Sequence, residues 1–141
     1  MELLRHVVVL DAADVSGVSA FWARLLGGGV VNGDDDFHCV IDGSGEWVIG
    51  VQHAPDHQPP EWPDGNPQQV HLDLHVTDPA ASLAHALAIG AQPLRTEDDP
   101  EAEHGHHVFA DPAGHPFCIG WGHPTPEELA CYLATNPPTA R

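Results

Sequence analysis

The order strand, helix, strand, strand, strand occurs twice along this chain of 141 residues. In the first copy, residues 3–53, a β-branched strand precedes a helix that begins after Asp14. The second copy, residues 70–122, repeats this order, and its helix begins after Asp78. An internal duplication constrains the fold more strongly than any single motif does. The sequence therefore predicts an α+β protein of two βαβββ modules, which we expect to form a single domain over residues 1–141.

Two further segments lie outside the duplicated pattern. Residues 54–69 hold five prolines and show no periodicity, which predicts a linker or long loop, although Trp62 lies within it. Residues 125–136 are predicted to form a short C-terminal helix. Thr125 and Glu128 have the spacing of a capping box at its start.

The charge balance excludes two classes of partner. The chain has 4 Lys and Arg against 21 Asp and Glu, a formal net charge of −17. Nucleic acids and anionic membrane surfaces bind cationic side chains, so neither is expected here. Cys39, Cys118 and Cys131 form no CxxC pair and lie in or near apolar runs, which predicts buried thiols in a reducing cytoplasm. The N-terminus does not resemble a secretory signal, so we expect a cytoplasmic protein.

The stretch QVHLDLHVTD, residues 69–78, has the alternation of a strand and places three polar residues on one face. His71 either donates a hydrogen bond to a ligand or is held by Asp73 or a neighbouring strand. Asp73 either faces water or pairs with a histidine, because a buried unpaired charge is costly. His75, near the end of the strand, is expected to be exposed to solvent.

Four sequence segments resemble those of a known family: FWARLLGG, HLDLHVTD, AIGAQPLR and FADPAGHPFCIGW. In their order and spacing, residues 3–122 resemble the vicinal oxygen chelate superfamily, which includes glyoxalase I, bleomycin-resistance proteins and extradiol dioxygenases. The closest likeness is to its glyoxalase-like domain branch. The resemblance implies that the modules form a curled mixed sheet that encloses a cup, and that the protein is a homodimer. It also implies four metal ligands, a His or Gln near the start of each module and a Glu near its end.

The family's ligand positions can be carried over one at a time. They fall on Val7 and Gly50 in the first module and on His71 and Cys118 in the second. His71 alone matches the family pattern, and one imidazole cannot hold a hard divalent ion. We therefore expect no metal and no other cofactor, with three of the four ligand positions missing.

Other residues are candidates for binding a ligand in the cup. Gly50 leaves room beside Gln52, a neutral donor and acceptor. Tryptophans at strand ends and in the linker can form an aromatic rim, or can pack locally against proline-rich loops. The HGHH run at residues 104–107 is expected to be a solvated turn, while His107 and Phe109 share a face that can reach the cup. Cys118 is expected to form a small apolar wall, since only a thiolate is nucleophilic. The predicted ligand-binding set is Trp47, Gln52, Trp62, His71, Asp73, Phe109, Cys118 and Trp121.

These observations favour a metal-independent protein that sequesters a hydrophobic or aromatic small molecule, as the drug-resistance members do. An alternative is a lyase, isomerase or dioxygenase-like enzyme with a rearranged metal site, in which Asp73, Cys118, His38 or His6 converge on His71. A third reading is a partner-binding module whose cup is closed by side chains.

Overall fold

The computed structural model describes residues 3–31 and 33–136, and it confirms the duplicated order of elements. The first module comprises β1 (Val8–Ala12), α1 (Val15–Leu25), β2 (Gly29–Val31), β3 (Phe37–Ile41) and β4 (Trp47–His53). The second comprises β5 (Leu72–His75), α2 (Pro79–Ala88), β6 (Gln92–Arg95), β7 (Gly105–Ala110) and β8 (Pro116–Trp121). A short helix, α3 (Pro126–Thr135), follows the second module, as predicted.

Each module forms its own four-stranded mixed sheet, and the two sheets have equivalent topology. The strand orders are β1-β4-β3-β2 and β5-β8-β7-β6. The first strand of each module runs parallel to the last, and the remaining pairs are antiparallel. Val9 pairs with Gly50 in the first sheet, and Asp73 pairs with Cys118 in the second. We call the side of each sheet that carries these pairs, opposite the apolar side chains that enter the core, the open face.

Polar side chains cap the three helices as the sequence predicts. The Asp14 carboxylate accepts a hydrogen bond from the Gly17 amide at 2.9 Å, and Asp78 caps α2 in the same way. Thr125 and Glu128 form the predicted capping box at the start of α3. Such caps satisfy amides that the first turn leaves without a helical partner.

A shared aromatic core joins the two modules. Phe21 and Trp22 of α1 are fully buried and pack against Phe117 of β8, with ring centroids 6.0 and 5.2 Å away. The Trp22 indole also donates a hydrogen bond of 2.9 Å to the buried carboxylate of Asp111, just after β7. Because this bond and these contacts link residues of both modules, the modules share one hydrophobic core.

The linker and α3 lie at the surface. No helix or strand lies within residues 54–71, and Trp62 in this segment is half-buried. Every described residue of α3 is exposed, including Cys131, so the expectation that all three thiols are buried was wrong. Cys39 and Cys118 are buried as expected. Among the described residues, no helix is long and apolar enough to cross a membrane.

Candidate functional site

Three polar side chains converge on the open face of the second sheet. Asp73 lies in β5 and His71 is the residue before this strand. The parallel pairing of β5 with β8 places Cys118 beside Asp73. His71 Nε2 lies 2.9 Å from Cys118 Sγ and 3.3 Å from Asp73 Oδ1. His71 Nδ1 lies 3.1 Å from Gln68 Oε1, which fixes the ring from its other side. One ligand-type atom from each of His71, Asp73 and Cys118 lies within 4.8 Å of the other two, and we call these residues the triad.

The environment of Cys118 keeps its thiol protonated at neutral pH. Burial, followed by the nearby negative charge of Asp73, raises the pKa of Cys118 from 9.0 to about 11. A protonated thiol is a weak nucleophile and a weak hydrogen-bond donor. As it stands, the triad therefore offers hydrogen bonds to a ligand rather than a reactive sulfur.

Further histidines extend this polar surface along the open face. A pocket of about 210 Å³ is lined by Asp73, His75, His106, Cys118, Gly120 and His123. The rings of His75 and His123 are stacked, with centroids 3.9 Å apart and planes 12° from parallel. Gly120 leaves room for this stack, since an added Cβ would lie 3.2 Å from His123 Nε2. His75 is exposed at the strand end, as predicted.

Two of these histidines were missed by the sequence reasoning. Within the HGHH run, His104 is exposed, as a solvated turn requires, but His106 lies in β7 opposite Gly120 and lines the pocket. Its imidazole lies 3.1 Å from an Arg95 nitrogen. His123 follows β8 and reaches the pocket only because the chain turns back over Gly120. The β7–β8 register is the signal that identifies His106, and no local pattern identifies His123.

The equivalent position in the first module is apolar and aromatic. Phe37 lies over Gly50, so that a Cβ there would be only 2.5 Å from the Phe37 ring. Trp47 contacts Phe37 edge to face, with centroids 6.4 Å apart, and Arg5 lies over the Trp47 ring at 5.9 Å. Gln52 pairs with Phe37 across the strands and is exposed. Gly50 therefore leaves room for an aromatic ring of the protein itself.

Phe109 and Trp121 lie elsewhere than the sequence reasoning expected. Phe109 is fully buried and packs against Phe117, with ring centroids 5.8 Å apart. Trp121 is 3% exposed and donates a hydrogen bond to the Ala102 carbonyl at 3.1 Å. His107 shares this core-facing side, as the alternation of β7 requires. These side chains stabilise the second module from the face opposite Cys118.

The remaining candidates do not join the triad. Trp62 lies in the linker, half-buried. The His38 ring lies on the helix-facing side of β3, with Nδ1 2.6 Å from Ser19 Oγ. His6 precedes β1 and is exposed. Of the residues predicted for a rearranged metal site, the described structure thus brings together His71, Asp73 and Cys118.

Comparison with known proteins identifies the family to which the chain belongs. The sequence profile of the glyoxalase-like domain matches residues 7–120. No match was found among curated proteins. The fold resembles the fosfomycin resistance protein FosX from Listeria monocytogenes, at 15% identity, with a TM-score of 0.64 over 91% of this chain and 98% of that one.

Two other solved structures share the fold. One is a glyoxalase/bleomycin resistance protein/dioxygenase family enzyme from Burkholderia phytofirmans PsJN, at 17% identity, with a TM-score of 0.62 over 82% of this chain and 96% of that one. The other is a glyoxalase-related enzyme from Fulvimarina pelagi, at 21% identity, with a TM-score of 0.59 over 84% and 88%. The chain therefore belongs to the glyoxalase-like domain family of the vicinal oxygen chelate superfamily.

Proposed function

We propose that this protein binds a small apolar or aromatic molecule on the open faces of its sheets, without a metal and without transforming it. The second module supplies hydrogen-bonding groups at the triad, and the first supplies an aromatic surface at Phe37 and Trp47. Binding sites for small molecules commonly combine apolar walls with a few polar groups that orient the ligand.

The observation that carries this proposal is the replacement of metal-ligand positions by groups of another kind. The Phe37 ring lies over Gly50, where the family resemblance expects a carboxylate, and Val7 offers no ligand atom. At Cys118 the raised pKa keeps the sulfur neutral in the absence of a metal. Aromatic rings and neutral donors favour a flat, weakly polar ligand over ionic chemistry.

A thermal-shift screen tests this proposal. Protein purified without an affinity tag is mixed with polycyclic aromatic antibiotics and with thiol adducts of α-dicarbonyls, each with and without a chelator. We expect at least one compound to raise the melting temperature equally in both conditions, because ligand binding to the native state stabilises it. The His71→Ala variant should lose that shift, while the control His104→Ala, at an exposed histidine, should keep it. If no compound gives a shift, the partner-binding alternative is favoured.

The triad supports a second candidate, a metal-dependent enzyme. A thiolate, an imidazole and a carboxylate are ligands of Zn²⁺, and catalytic zinc sites commonly use three protein ligands and an open position. The presence of sulfur fits such a thiophilic ion better than it fits Mg²⁺ or Ca²⁺, which prefer oxygen ligands. His71, Asp73 and Cys118 would hold the ion, which would act as a Lewis acid on a substrate oxygen. FosX of L. monocytogenes, a similar fold at 14% identity, has been crystallised with Mn(II).

Elemental analysis separates the two candidates. Protein purified without a tag or chelator is measured for bound transition metals, alone and after one equivalent of Zn²⁺ or Co²⁺ is added and the excess removed. Stoichiometric metal that is lost in both Cys118→Ala and His71→Ala, but retained in His104→Ala, would favour the enzyme. Substoichiometric metal that is equal in all variants supports binding without a metal.

The proposal includes a homodimer, because a two-fold symmetric dimer brings the same surface of two copies together. The open faces carry exposed apolar side chains, such as Val9 at 47% exposure, that a second copy can cover. Sedimentation equilibrium measures the mass directly. A mass of about 30 kDa, twice the 15.1 kDa of one chain, is expected.

A further inference from the structure

A second pocket lies between the modules, apart from the triad. It has a volume of about 250 Å³ and is walled by β1, the linker and the start of β8. Its polar lining includes Asp11, His57, Gln68 and His115, and its apolar lining includes Pro60 and Pro67. The linker therefore forms one wall of a built cavity, rather than only connecting the two modules.

A buried carboxylate orients His115 at this pocket. His115 Nδ1 lies 2.9 Å from Asp111 Oδ2, and the Asp111 side chain is fully buried. The same carboxylate accepts hydrogen bonds from the Trp22 indole and from the amides of Ala113 and His115. An ionised carboxylate only accepts, so His115 Nδ1 donates to it, and in the neutral form of the ring Nε2 is left as an acceptor.

The adjacent His57 ring is held in a fixed tautomer as well. Its Nε2 lies 3.0 Å from the Ala113 carbonyl oxygen, which can only accept, so Nε2 donates, and in the neutral form of the ring Nδ1 is left as an acceptor. The His57 and His115 rings lie side by side, with centroids 4.8 Å apart. Gly114 lets the linker approach this closely, since a Cβ there would lie 2.6 Å from Pro59. Two imidazoles from separate parts of the chain thus line the pocket, each held through one ring nitrogen.

The lining determines which ligand chemistry the pocket favours. Asp11 adds a carboxylate to the two imidazole acceptors, and no arginine or lysine is among the described lining residues. The net charge of −17 raises the local concentration of cations and lowers that of anions. We propose that this pocket binds a small primary amine as its ammonium ion, with the N–H groups donating to His115, His57 and Asp11 and the apolar part against the prolines. This pocket contains no residue of the triad, although Gln68, which lines the pocket, also lies 3.1 Å from His71 Nδ1.

Three probes of similar size separate the contributions to binding. Benzylamine carries both a positive charge and N–H donors, benzyl alcohol carries a donor without charge, and benzyltrimethylammonium carries charge without a donor. Each is titrated into ¹⁵N-labelled protein and followed by backbone and histidine side-chain NMR. We expect benzylamine to shift the resonances of Asp11, His57 and His115, and to bind at least about tenfold more tightly than either other probe, because hydrogen bonds to charged groups are the strong ones.

Variants test the assigned acceptors. His115→Phe keeps a flat ring but removes the acceptor, and we expect benzylamine affinity to fall about tenfold or more. His57→Phe and Asp11→Asn leave the Asp111–His115 pair intact, and each should also weaken benzylamine binding. These two variants test the proposal even if His115→Phe perturbs the fold. His104→Phe is the matched control and should bind normally.

The proposal for this pocket and the proposal for the triad can be refuted separately. His71→Ala removes the triad and should leave benzylamine binding intact, so loss of binding in that variant would overturn a separate pocket. Equal binding of benzyltrimethylammonium would overturn the role of the imidazole acceptors. Absence of shifts at Asp11, His57 and His115 with all three probes would overturn the site itself.

Discussion

The protonation of Cys118 offers a direct test of how the triad is built. With a pKa of about 11 in place of 9.0, Cys118 has about 100-fold less thiolate at a pH well below both values. Each remaining thiolate is about 6- to 10-fold more nucleophilic than one whose thiol has a pKa of 9.0, because nucleophilicity rises with pKa at a Brønsted coefficient of about 0.4–0.5. The two effects together predict a reaction with a disulfide reagent that is slower by roughly tenfold.

The assay is the rate at which Cys118 reacts with the aromatic disulfide DTNB, measured by peptide mass mapping as the pH is raised. Denatured protein provides the reference for the same cysteine. Burial also slows access, so the pH at which the rate levels off is the decisive quantity. For metal-free native protein the rate should still be rising above pH 9.0 and level off near pH 11.

Substitution of Asp73 separates the causes of the shift. Asp73→Asn removes the second-largest cause while burial, the largest, remains, so the pKa of Cys118 should fall but stay above 9.0. Asp56→Asn, at an exposed carboxylate in the linker, should leave the profile unchanged. A profile of metal-free native protein that levels off at or below pH 9.0 would refute the reasoning.

Two further substitutions test the packing around the sites. Trp22→Phe removes a donor to the buried Asp111 carboxylate, and the free energy of unfolding in urea should fall by about 1–3 kcal/mol; an unchanged value would contradict the importance of that bond. Gly120→Ala places a methyl group 3.2 Å from His123 Nε2, so the stack of His123 on His75 should open. The upfield ring-current shifts of both imidazoles in the NMR spectrum should then disappear, and their persistence would show that the ring can move aside without losing its partner.

The local features of the fold were predictable because they depend on neighbouring residues. Apolar periodicity and capping side chains located the helices, and Asp14 and Asp78 cap them as expected. Two-residue alternation placed His71 and Asp73 on one face. These signals reach only a few residues along the chain, and the described structure retains them.

The placement of Trp121 shows where the sequence reasoning was incomplete. Cys118 and Trp121 are three residues apart on one strand, so their side chains must point to opposite faces. Assigning both to one chamber therefore conflicts with the strand alternation itself. Phe109 follows from the same rule, because it pairs with Phe117, which neighbours Cys118.

Other pairings had no local signal. His57 and His115 meet because the linker folds back on the turn after β7, at a separation of 58 residues in the chain. His75 and His123 meet because the chain reverses after β8. Such contacts depend on the docking of loops onto a completed core, so neither periodicity nor composition can predict them.

The duplication separates the two kinds of chemistry between the modules. The registers make Val9 and Gly50 the counterparts of Asp73 and Cys118, since each pair lies opposite on the first and last strands of its module. In the first module the space beside the glycine is filled by Phe37, whereas in the second Cys118 lies within hydrogen-bonding distance of His71. The same backbone thus presents an apolar aromatic surface in one copy and a polar cluster in the other. A ligand that contacts both surfaces needs one flat apolar part and one hydrogen-bonding part, and this division of roles requires no change in the fold.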